Sequence, residues 1–489
     1  MITIAGIKGQ KIAVFGLGAT GLAAAEALIA SGAEVYSWDE NPASREKTLN
    51  TEYRAEEPDN WPWSDLSSLV LSPGVPLTHP TAHPVVRRAR SESVEIIGDL
   101  ELFARTINVL EPEKRPRVVA ITGSNGKSTT TRLITHILRE TGHLVHEGGN
   151  IGKAVLDLSN PDENAIYVLE LSSFQLDLIS SLRANIAVFL NISPDHLDRH
   201  GGMDGYVAAK RRIFRNQTPD DHAIIGVDDE VSQSVCTDLT GAGRVTVTPV
   251  SAEGTLGGGV FALADSLFYN LDHKTSEAGP IPAIPALRGQ HNYQNAAAAL
   301  AVCCRLGVSP PVAMLAMGRF KGLAHRMEKV ADLGNLTLIN DSKATNAHAA
   351  AQALTAYRDV FWLAGGKAKE GGLDVLMAAG AGYFDHVRAG YFFGQAADMF
   401  SAQVGEEVPA RIFGTMERAF MQAVRDARAS GVKNPVILLS PAAASYDQFT
   451  NFEERGEAFR ALVDRLVKAG PAAVDDLALP APKKNGEAA

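Results

Sequence analysis

Cysteine is scarce in this sequence: the 489 residues contain three, Cys236 and the adjacent pair Cys303 and Cys304. That excludes a disulfide framework and paired metal-ligand spacing, and leaves all three as small apolar residues of the interior. Basic excess is also missing. Lys and Arg total 46 against 56 Asp and Glu, a net charge of -10, and no long basic block interrupts the acidic balance, so nucleic acid is not an expected partner. No uninterrupted apolar run is long enough to span a bilayer. The opening "MITIAGIKGQ" lacks the apolar core and small-residue cleavage site of a secretory signal. The expectation is a soluble cytoplasmic protein with no membrane partner and no internal repeat.

What is present is α/β alternation. The length exceeds the usual single-domain size, so two or three domains are expected, each able to bury its own core. "KIAVF" (11–15) reads as a buried strand, followed by "GLGATG", a helix through Leu28 and a second strand, "AEVYSWDE", which is a Rossmann-like opening. Near Gly98 the pattern changes to a helix and a charged, Pro-containing connection, after which "VVAIT" opens a new unit. Further strands, "AIYVLEL" and "ANIAVFLNI", bring polar residues to their C-terminal ends, where ligand sites of open α/β sheets lie. Past "FKGLAHRMEKV" a third alternation runs through "LTLIND", "DVFWLAGG" and "NPVILLS" to a last amphipathic helix. The expected fold class is therefore α/β in three domains, 1–98, 99–323 and 324–489, the first and last Rossmann-like, all with mainly parallel sheets. A disordered tail is expected from about residue 471, where Pro, Ala and charge dominate.

Four groups of residues carry chemistry. In "VAITGSNGKSTTTRLI" (118–133), an apolar strand meets a Gly-flanked loop and a helix, so backbone N–H groups from Gly123 to Lys127 can surround a polyphosphate. Lys127 supplies charge and Ser128 can ligate Mg2+. The full phosphate-loop pattern has glycine where Ile121 stands, and the bland alternative is a turn capped by Ser128. Gly16, Gly18 and Gly21 with Asp39 fit the dinucleotide fingerprint, which specifies a pyrophosphate more firmly than a nicotinamide. Glu170 and His196, just beyond predicted strands, are plausible Mg2+ ligands beside a phosphate loop. Lys210, next to Arg211 and Arg212 in "YVAAKRRIF", reads from spacing alone as part of an exposed helix face without a role. In "INDSKATN" and "LLSPAAASYDQFTNFEERGEAF", polar clusters follow strands; binding is one reading, and helix capping by Asn340 or Asp341 and by Ser445 or Asp447 is the other.

Together the motifs "GLGATG", "LSPGV", "ITGSNGKSTTT", "GGNIG", "LELSSFQL", "NISPDHLDRHG", "GQHNYQNAAAA", "HRME", "NDSKATN" and "SPAAASYDQFTNFEERG" closely resemble the Mur ligase family, over residues 5 to 468. "LSSFQL" with "NDSKATN" and "DQFTNFEERG" resembles its D-glutamate-adding branch. The resemblance implies an ATP-dependent amide ligase of peptidoglycan precursor synthesis, and hence of cell wall biogenesis, cell shape and cell division. It implies that UDP-N-acetylmuramoyl-L-alanine and D-glutamate are joined through an acyl phosphate, with ADP and phosphate released by a cytoplasmic monomer. The three domains then become UDP-sugar-binding, ATP-binding and amino-acid-binding.

By that resemblance Gly123, Asn125, Gly126, Lys127, Ser128, Thr129, Asn295, Arg326 and Asp341 meet ATP, Asp341 at the ribose. Gly18, Thr20, Asp39, Ser72, Pro73, Gly74 and Asn150 meet the UDP-sugar, Asn150 at its muramoyl part. Thr345, Lys369, Ser445, Tyr446 and Phe452 meet D-glutamate, with Lys367 the alternative lysine in "GGKAKEGG". Ser128, Glu170, His196 and Lys210 hold metal, Lys210 as a carbamate, a role opposite to the one its spacing suggests. Catalysis would rest on Lys127, His196 and Lys210. Two other classes stay open on the residues alone: a nicotinamide-dependent dehydrogenase fused to an ATPase, and an ATP-gated regulator without catalysis.

Overall fold

The computed structural model describes residues 1–46, 55–271, 274–284, 287, 289–378 and 382–469. The tail expected from about residue 471 lies outside them. The chain divides into two compact units, one of residues 1–282 and 292–320, the other of residues 283–291 and 321–489.

The first unit holds two sheets. Strands β1 (Lys11–Phe15), β2 (Glu34–Trp38), β3 (Leu66–Leu71) and β4 (Glu95–Ile97) form a parallel sheet in the order β2-β1-β3-β4. The second sheet contains β5 (Arg117–Thr122), β6 (Leu144–Gly149), β7 (Ala165–Glu170), β8 (Ile186–Phe189), β9 (His222–Gly226), β10 (Thr246–Ser251), β11 (Gly259–Leu263), β12 (Ser266–Asn270) and β13 (Ser276–Pro280). Its order is β13-β12-β11-β10-β9-β8-β5-β7-β6. Strand β5 lies between β7 and β8, parallel to both. It is covered on both faces, which is why "RVVAIT" is almost continuously apolar instead of alternating. Because β5 is flanked on both sides, the chain after it emerges in a crevice at the carboxyl ends of three strands. The expected parallel pattern holds through β10 and β11 but gives way to antiparallel pairing across β11, β12 and β13. Short connections such as Ala264–Asp265 between β11 and β12 allow only a hairpin, since a parallel return needs a crossover of a dozen or more residues.

A shared core joins the two sheets: Ile12 and Val14 of β1 belong to the same buried cluster as Val118 and Ala120 of β5 and Tyr167 and Leu169 of β7. The N-terminal segment is tied in as well, with Ile2 N–H donating to the Leu156 carbonyl at 2.8 Å.

In the second unit β14 (Glu328–Leu333), β15 (Leu336–Asn340), β16 (Val360–Gly365), β17 (Val387–Phe393), β18 (Ala410–Phe413) and β19 (Val436–Leu439) form a sheet in the order β14-β15-β19-β16-β17-β18. All pairs are parallel except β14 with β15. Apolar clusters cover each face, one around Trp362 and Leu438 and the other around Leu363 and Leu439. The suggested caps are not where the spacing put them. The helix Ala347–Ala356 is capped by Asn346, whose side chain accepts from Ala349 N–H. Asn451 does the same for Glu454 N–H at the start of the helix Phe452–Ala469. Asn340, Asp341 and Ser445 are thus left for other duties.

Candidate active site

Strand β5 ends at Thr122 and the chain turns through Gly123 to Gly126 into the helix Lys127–Glu140. Gly126 is the cap residue, in the left-handed region at φ 84°. A Cβ there would stand 2.3 Å from Asn295 Oδ1, so glycine is required for both conformation and space. No side chain caps this helix. Ser128 lies inside it and is buried, which removes the capping alternative and leaves a helix N-terminus with its first N–H groups turned to the loop. Lys127 Nζ donates to the carbonyls of Gly123 and Ser124, both at 2.8 Å, so its cation stands at the loop itself.

Lys210 corrects the reading from spacing: it is 1% exposed. The helix Met203–Arg211 turns Tyr206, Ala209 and Lys210 inward and leaves Arg211 half-exposed. Lys210 Nζ donates to the Gly123 carbonyl at 2.8 Å and to Thr122 Oγ1 at 3.3 Å, and lies 4.8 Å from the Tyr206 ring centre. Burial, and then the Lys127 charge, hold its pKa well below that of an ordinary lysine, against the pull of Asp195 and Glu170. Tyr206 Oη shares a hydrogen bond with Ser124 Oγ at 3.0 Å.

Glu170 closes β7 and is 2% exposed. Its Oε1 accepts from Asn150 Nδ2 at 2.9 Å, and its carbonyl accepts from Asn150 N–H at 2.8 Å. Its Oε2 is buried and has no hydrogen-bond partner among the described residues, an expensive state for a carboxylate oxygen unless something binds it. His196 adopts φ 53° at the start of the short helix Leu197–His200. Its Nε2 is 3.4 Å from Asp195 Oδ2, and its ring centre is 5.0 Å from that of Phe174. Phe174 stacks on His200, which contacts Ser173 Oγ and Asp177. Among the described residues no three His, Cys, Asp or Glu side chains group as a metal site; the set Ser128, Glu170, His196 and Lys210 contains only two of those types.

On the first sheet Gly18 is an exposed helix cap at φ -68°, and Thr20 is half-buried in the turn that follows. Asp39 holds its own loop, accepting from Leu17 N–H at 2.6 Å and from Asn41 N–H at 2.8 Å. Ser72 Oγ donates to the Gly16 carbonyl at 2.7 Å, which brings "SPGV", with Pro73 and Gly74, against the glycine turn.

In the second unit Asp341 is buried beyond β15. It accepts from Ser440 Oγ at 2.9 Å and Met327 N–H at 3.1 Å, and burial pushes its pKa up to about 7. Arg326 adjoins Met327. Thr345 N–H donates to the Lys343 carbonyl, and Lys343 Nζ lies 5.5 Å from the Phe452 ring centre. Ser445 is buried, whereas its neighbour Tyr446 is 72% exposed. Lys367 pairs through its backbone with Ala444; Lys369 is exposed, with its carbonyl accepting from Gly372 N–H.

Sequence reasoning missed Arg455. Fully buried, it donates to Ser342 Oγ and O, Gly365 O and Ala443 O, tying together the loops after β15, β16 and β19. Its only signal was an arginine on the inward face of the last helix.

A phosphate loop whose strand end gathers a buried lysine and a buried, half-satisfied carboxylate defines a nucleotide-handling α/β enzyme. A Mur ligase MurD-like N-terminal domain model matches residues 10–98, and a Mur ligase middle domain model matches residues 121–303. The chain belongs to the Mur ligase family, whose reactions depend on ATP. Among its relatives is the UDP-N-acetylmuramoylalanine--D-glutamate ligase of Caulobacter sp. (strain K31), 51% identical over 468 residues, covering 96% of this chain and 99% of the relative. The enzyme of the same name from Phenylobacterium zucineum (strain HLK1) is 51% identical over 466 residues, covering 95% and 98%. Solved structures similar to it include a UDP-N-acetylmuramate-alanine ligase from Thermotoga maritima, with TM-score 0.57, 18% identity and coverage of 94% and 99%. A MurF from Acinetobacter baumannii gives TM-score 0.56 at 18% identity, covering 94% and 92%. These two bear on the fold alone. No helix among the described residues is long and apolar enough to cross a membrane.

Proposed function

We propose that this protein joins D-glutamate to UDP-N-acetylmuramoyl-L-alanine at the expense of ATP, as a cytoplasmic monomer. The observation that carries the reading is the convergence of Lys127, Lys210 and the phosphate loop at the end of β5, in a chain so similar over its whole length to enzymes of that name. Residues 1–98 are the proposed UDP-sugar domain, 99–323 the ATP domain and 324–489 the amino-acid domain.

A carboxylate is a poor electrophile and needs a leaving group. In the proposed reaction its oxygen attacks the γ-phosphorus, the bond to ADP breaks, and the amine of D-glutamate then displaces phosphate from the acyl carbon. Charge gathers on phosphoryl oxygens, and Lys127 stands at the loop to offset it. The loop N–H groups from Gly123 to Lys127, with Ser128 and Thr129 behind them, orient the phosphates. Asn295 borders Gly126, while Arg326 and Asp341 of the second unit are the residues that the resemblance assigns to the nucleotide.

Lys210 suits a carbamate. Burial beside the Lys127 cation disfavours its ammonium form, and the free amine can attack CO2, forming an N–C bond and losing a proton. The product is an anion beside the Lys127 cation, so the repulsion that depresses the amine becomes attraction. The oxygen donors fit Mg2+: the unpaired Oε2 of Glu170, the hydroxyl of Ser128 and the Lys210 carbamate are hard donors, His196 would add a softer nitrogen beside them, and the ion would supply neutralisation of phosphate charge. Gly18, Thr20 and Ser72–Gly74 are the proposed diphosphate cradle, with Asp39 shaping it and Asn150 near the sugar. Thr345, Lys369, Ser445, Tyr446 and Phe452 are the proposed amino-acid site.

The test is an ADP-release assay with UDP-N-acetylmuramoyl-L-alanine, with and without D-glutamate. ADP and phosphate in equal amounts, dependent on both substrates, are expected. Release of AMP and pyrophosphate would overturn the acyl-phosphate route. Nicotinamide binding that UDP does not displace would favour the dehydrogenase reading instead.

A further inference from the structure

The segment after β8, "NIS" (191–193), lies along the phosphate loop like a splint. Ser124 N–H donates to the Asn191 carbonyl at 2.8 Å. The Asn191 side chain then grips the next residue at both polar atoms: Asn125 N–H donates to Asn191 Oδ1 at 2.9 Å, and Asn191 Nδ2 donates to the Asn125 carbonyl at 3.2 Å. Two residues on, Ser193 N–H donates to Ser124 Oγ at 2.9 Å, and Ser124 Oγ donates back to the Ser193 carbonyl at 3.0 Å. The fit is close. A Cβ on Gly123 would lie 3.0 Å from Leu190 Cβ and 3.3 Å from Asn191 N.

Asn191 is itself held. Its Nδ2 also donates to Gln294 Oε1 at 3.2 Å, and Gln294 Nε2 donates to Asp228 Oδ2 at 2.7 Å. Asp228 accepts further from Ala252 N–H and from Ser251 Oγ. Gln294 is 5% exposed and wedged against Gly226, where a Cβ would meet its Nε2 at 2.8 Å. A chain of oriented amides therefore runs from a fixed carboxylate to the backbone of the loop. The direction of donation is set at one end, because Asp228 accepts from Gln294 and so leaves the Gln294 oxygen turned to Asn191.

We propose that Asn191, oriented by Gln294 and Asp228, is a positioning residue that presets the phosphate loop for the nucleotide. Free loops lose conformational freedom on binding a ligand, and a loop already fixed by paired backbone atoms loses less. The inference rests on the nucleotide reading of that loop, and none of Asn191, Gln294 and Asp228 is a residue that the resemblance assigns to ATP.

The test uses the full chain with Asn191→Ala, Asn191→Asp, Gln294→Ala and the double variant Asn191→Ala/Gln294→Ala. It measures binding of an N-methylanthraniloyl-ADP probe, KM for each substrate, and thermal midpoints. Asn191→Ala removes three side-chain hydrogen bonds and is expected to weaken probe binding and raise the ATP KM about tenfold or more, with the UDP-substrate KM changed less than about twofold. Asn191→Asp keeps the acceptor for Asn125 N–H but loses both donations, so it falls between alanine and wild type. Gln294→Ala, the variant to use if Asn191→Ala does not fold, should weaken nucleotide binding severalfold. The double variant should be no worse than Asn191→Ala alone, since both act through one chain. Nucleotide affinity unchanged in both single variants, or an equal loss for nucleotide and UDP-substrate, would overturn the proposal. A wild-type protein that does not bind the probe would instead sink the nucleotide reading itself.

Discussion

At Lys210 the useful property is a cation made uncomfortable. Its ammonium is buried beside Lys127, so replacement by alanine removes both that repulsion and the proposed carbamate. Lys210→Ala should fold, lose most ligase activity, and regain part of it when acetate or another short carboxylic acid is added; full activity without rescue would leave the carbamate no role. A second buried charge gives a prediction about stability. Neither carboxylate oxygen of Asp99 makes a hydrogen bond among the described residues. Burial pushes its pKa up to about 7, offset only in part by nearby backbone N–H groups. The unfolded chain releases this proton near the ordinary carboxylate pKa, so between that value and about 7 the native state binds more protons and stability falls as pH rises. The cost is absent at low pH and complete above the native pKa, up to about 4 kcal/mol as an order of magnitude. Asp99→Asn should therefore gain on the wild type in thermal midpoint between pH 5 and pH 8, and an offset independent of pH would mean that Asp99 does not titrate there. Neither behaviour was legible in the sequence. Spacing placed Lys210 on a polar face because Arg211 and Arg212 flank it, and a string of residue types does not show which face a helix buries.

At the scale of elements, the glycine turn between β1 and the helix Ala19–Ala30 separates two explanations of its own motif. Gly21 is a packing glycine: a Cβ there would lie 1.7 Å from the Gly16 carbonyl oxygen, so Gly21→Ala must push helix and strand apart. Gly18 is different. It has an ordinary φ of -68°, and a Cβ would meet nothing within 4 Å. Gly18→Ala should cost about 1 kcal/mol or less, the difference between these residues as helix caps. If a diphosphate approaches that cap, the same methyl group obstructs it, and the KM for UDP-substrate should rise about tenfold or more with the thermal midpoint nearly unchanged. An unchanged KM would reduce the motif to helix packing. The central strands β1, β5, β7 and β8 were readable because strands covered on both faces are almost wholly apolar. The hairpins of β11 to β13 were not: β11 is mostly buried but short, while β12 and β13 are mostly half-buried, so no sustained alternation marks them. The caps were misplaced by a few residues because Asn340, Asp341 and Asn346 are all good cap formers, and tertiary bonding claims the first two.

For the molecule as a whole, pattern changes at Gly98 and near residue 323 suggested three segments, whereas the chain divides into two compact units that hold three sheets among the described residues. What the pattern could not show is that the first two sheets share one buried cluster, with Gly98 N–H bonded to the Leu178 carbonyl at 3.2 Å. Core continuity depends on which apolar faces meet, and periodicity within a segment is silent on that. Overall charge raises a related question. A chain of net charge -10 is proposed to bind three anionic substrates, so selection must come from local cations and oriented N–H groups. D-Glutamate makes the sharpest demand. Its two carboxylates require separate partners while the amine stays free to reach the acyl phosphate. Lys369 offers a cation, and Thr345 and Ser445 offer hydroxyls, with backbone N–H groups beside them. Two fixed carboxylates and one amine direction define a chirality, so the L-isomer satisfies at most two of the three constraints. An unpaired charge in a closed site costs several kcal/mol, an order-of-magnitude figure. L-Alanine leaves one carboxylate partner unmatched, and meso-diaminopimelate brings an ammonium where none is matched. Assayed side by side with UDP-N-acetylmuramoyl-L-alanine, D-glutamate should be the only efficient acceptor among D-glutamate, L-glutamate, L-alanine and meso-diaminopimelate. Preference for any other would place the chain in a different branch of the family, and would transfer the roles proposed for Lys369, Thr345 and Ser445 to residues that pair with that amino acid.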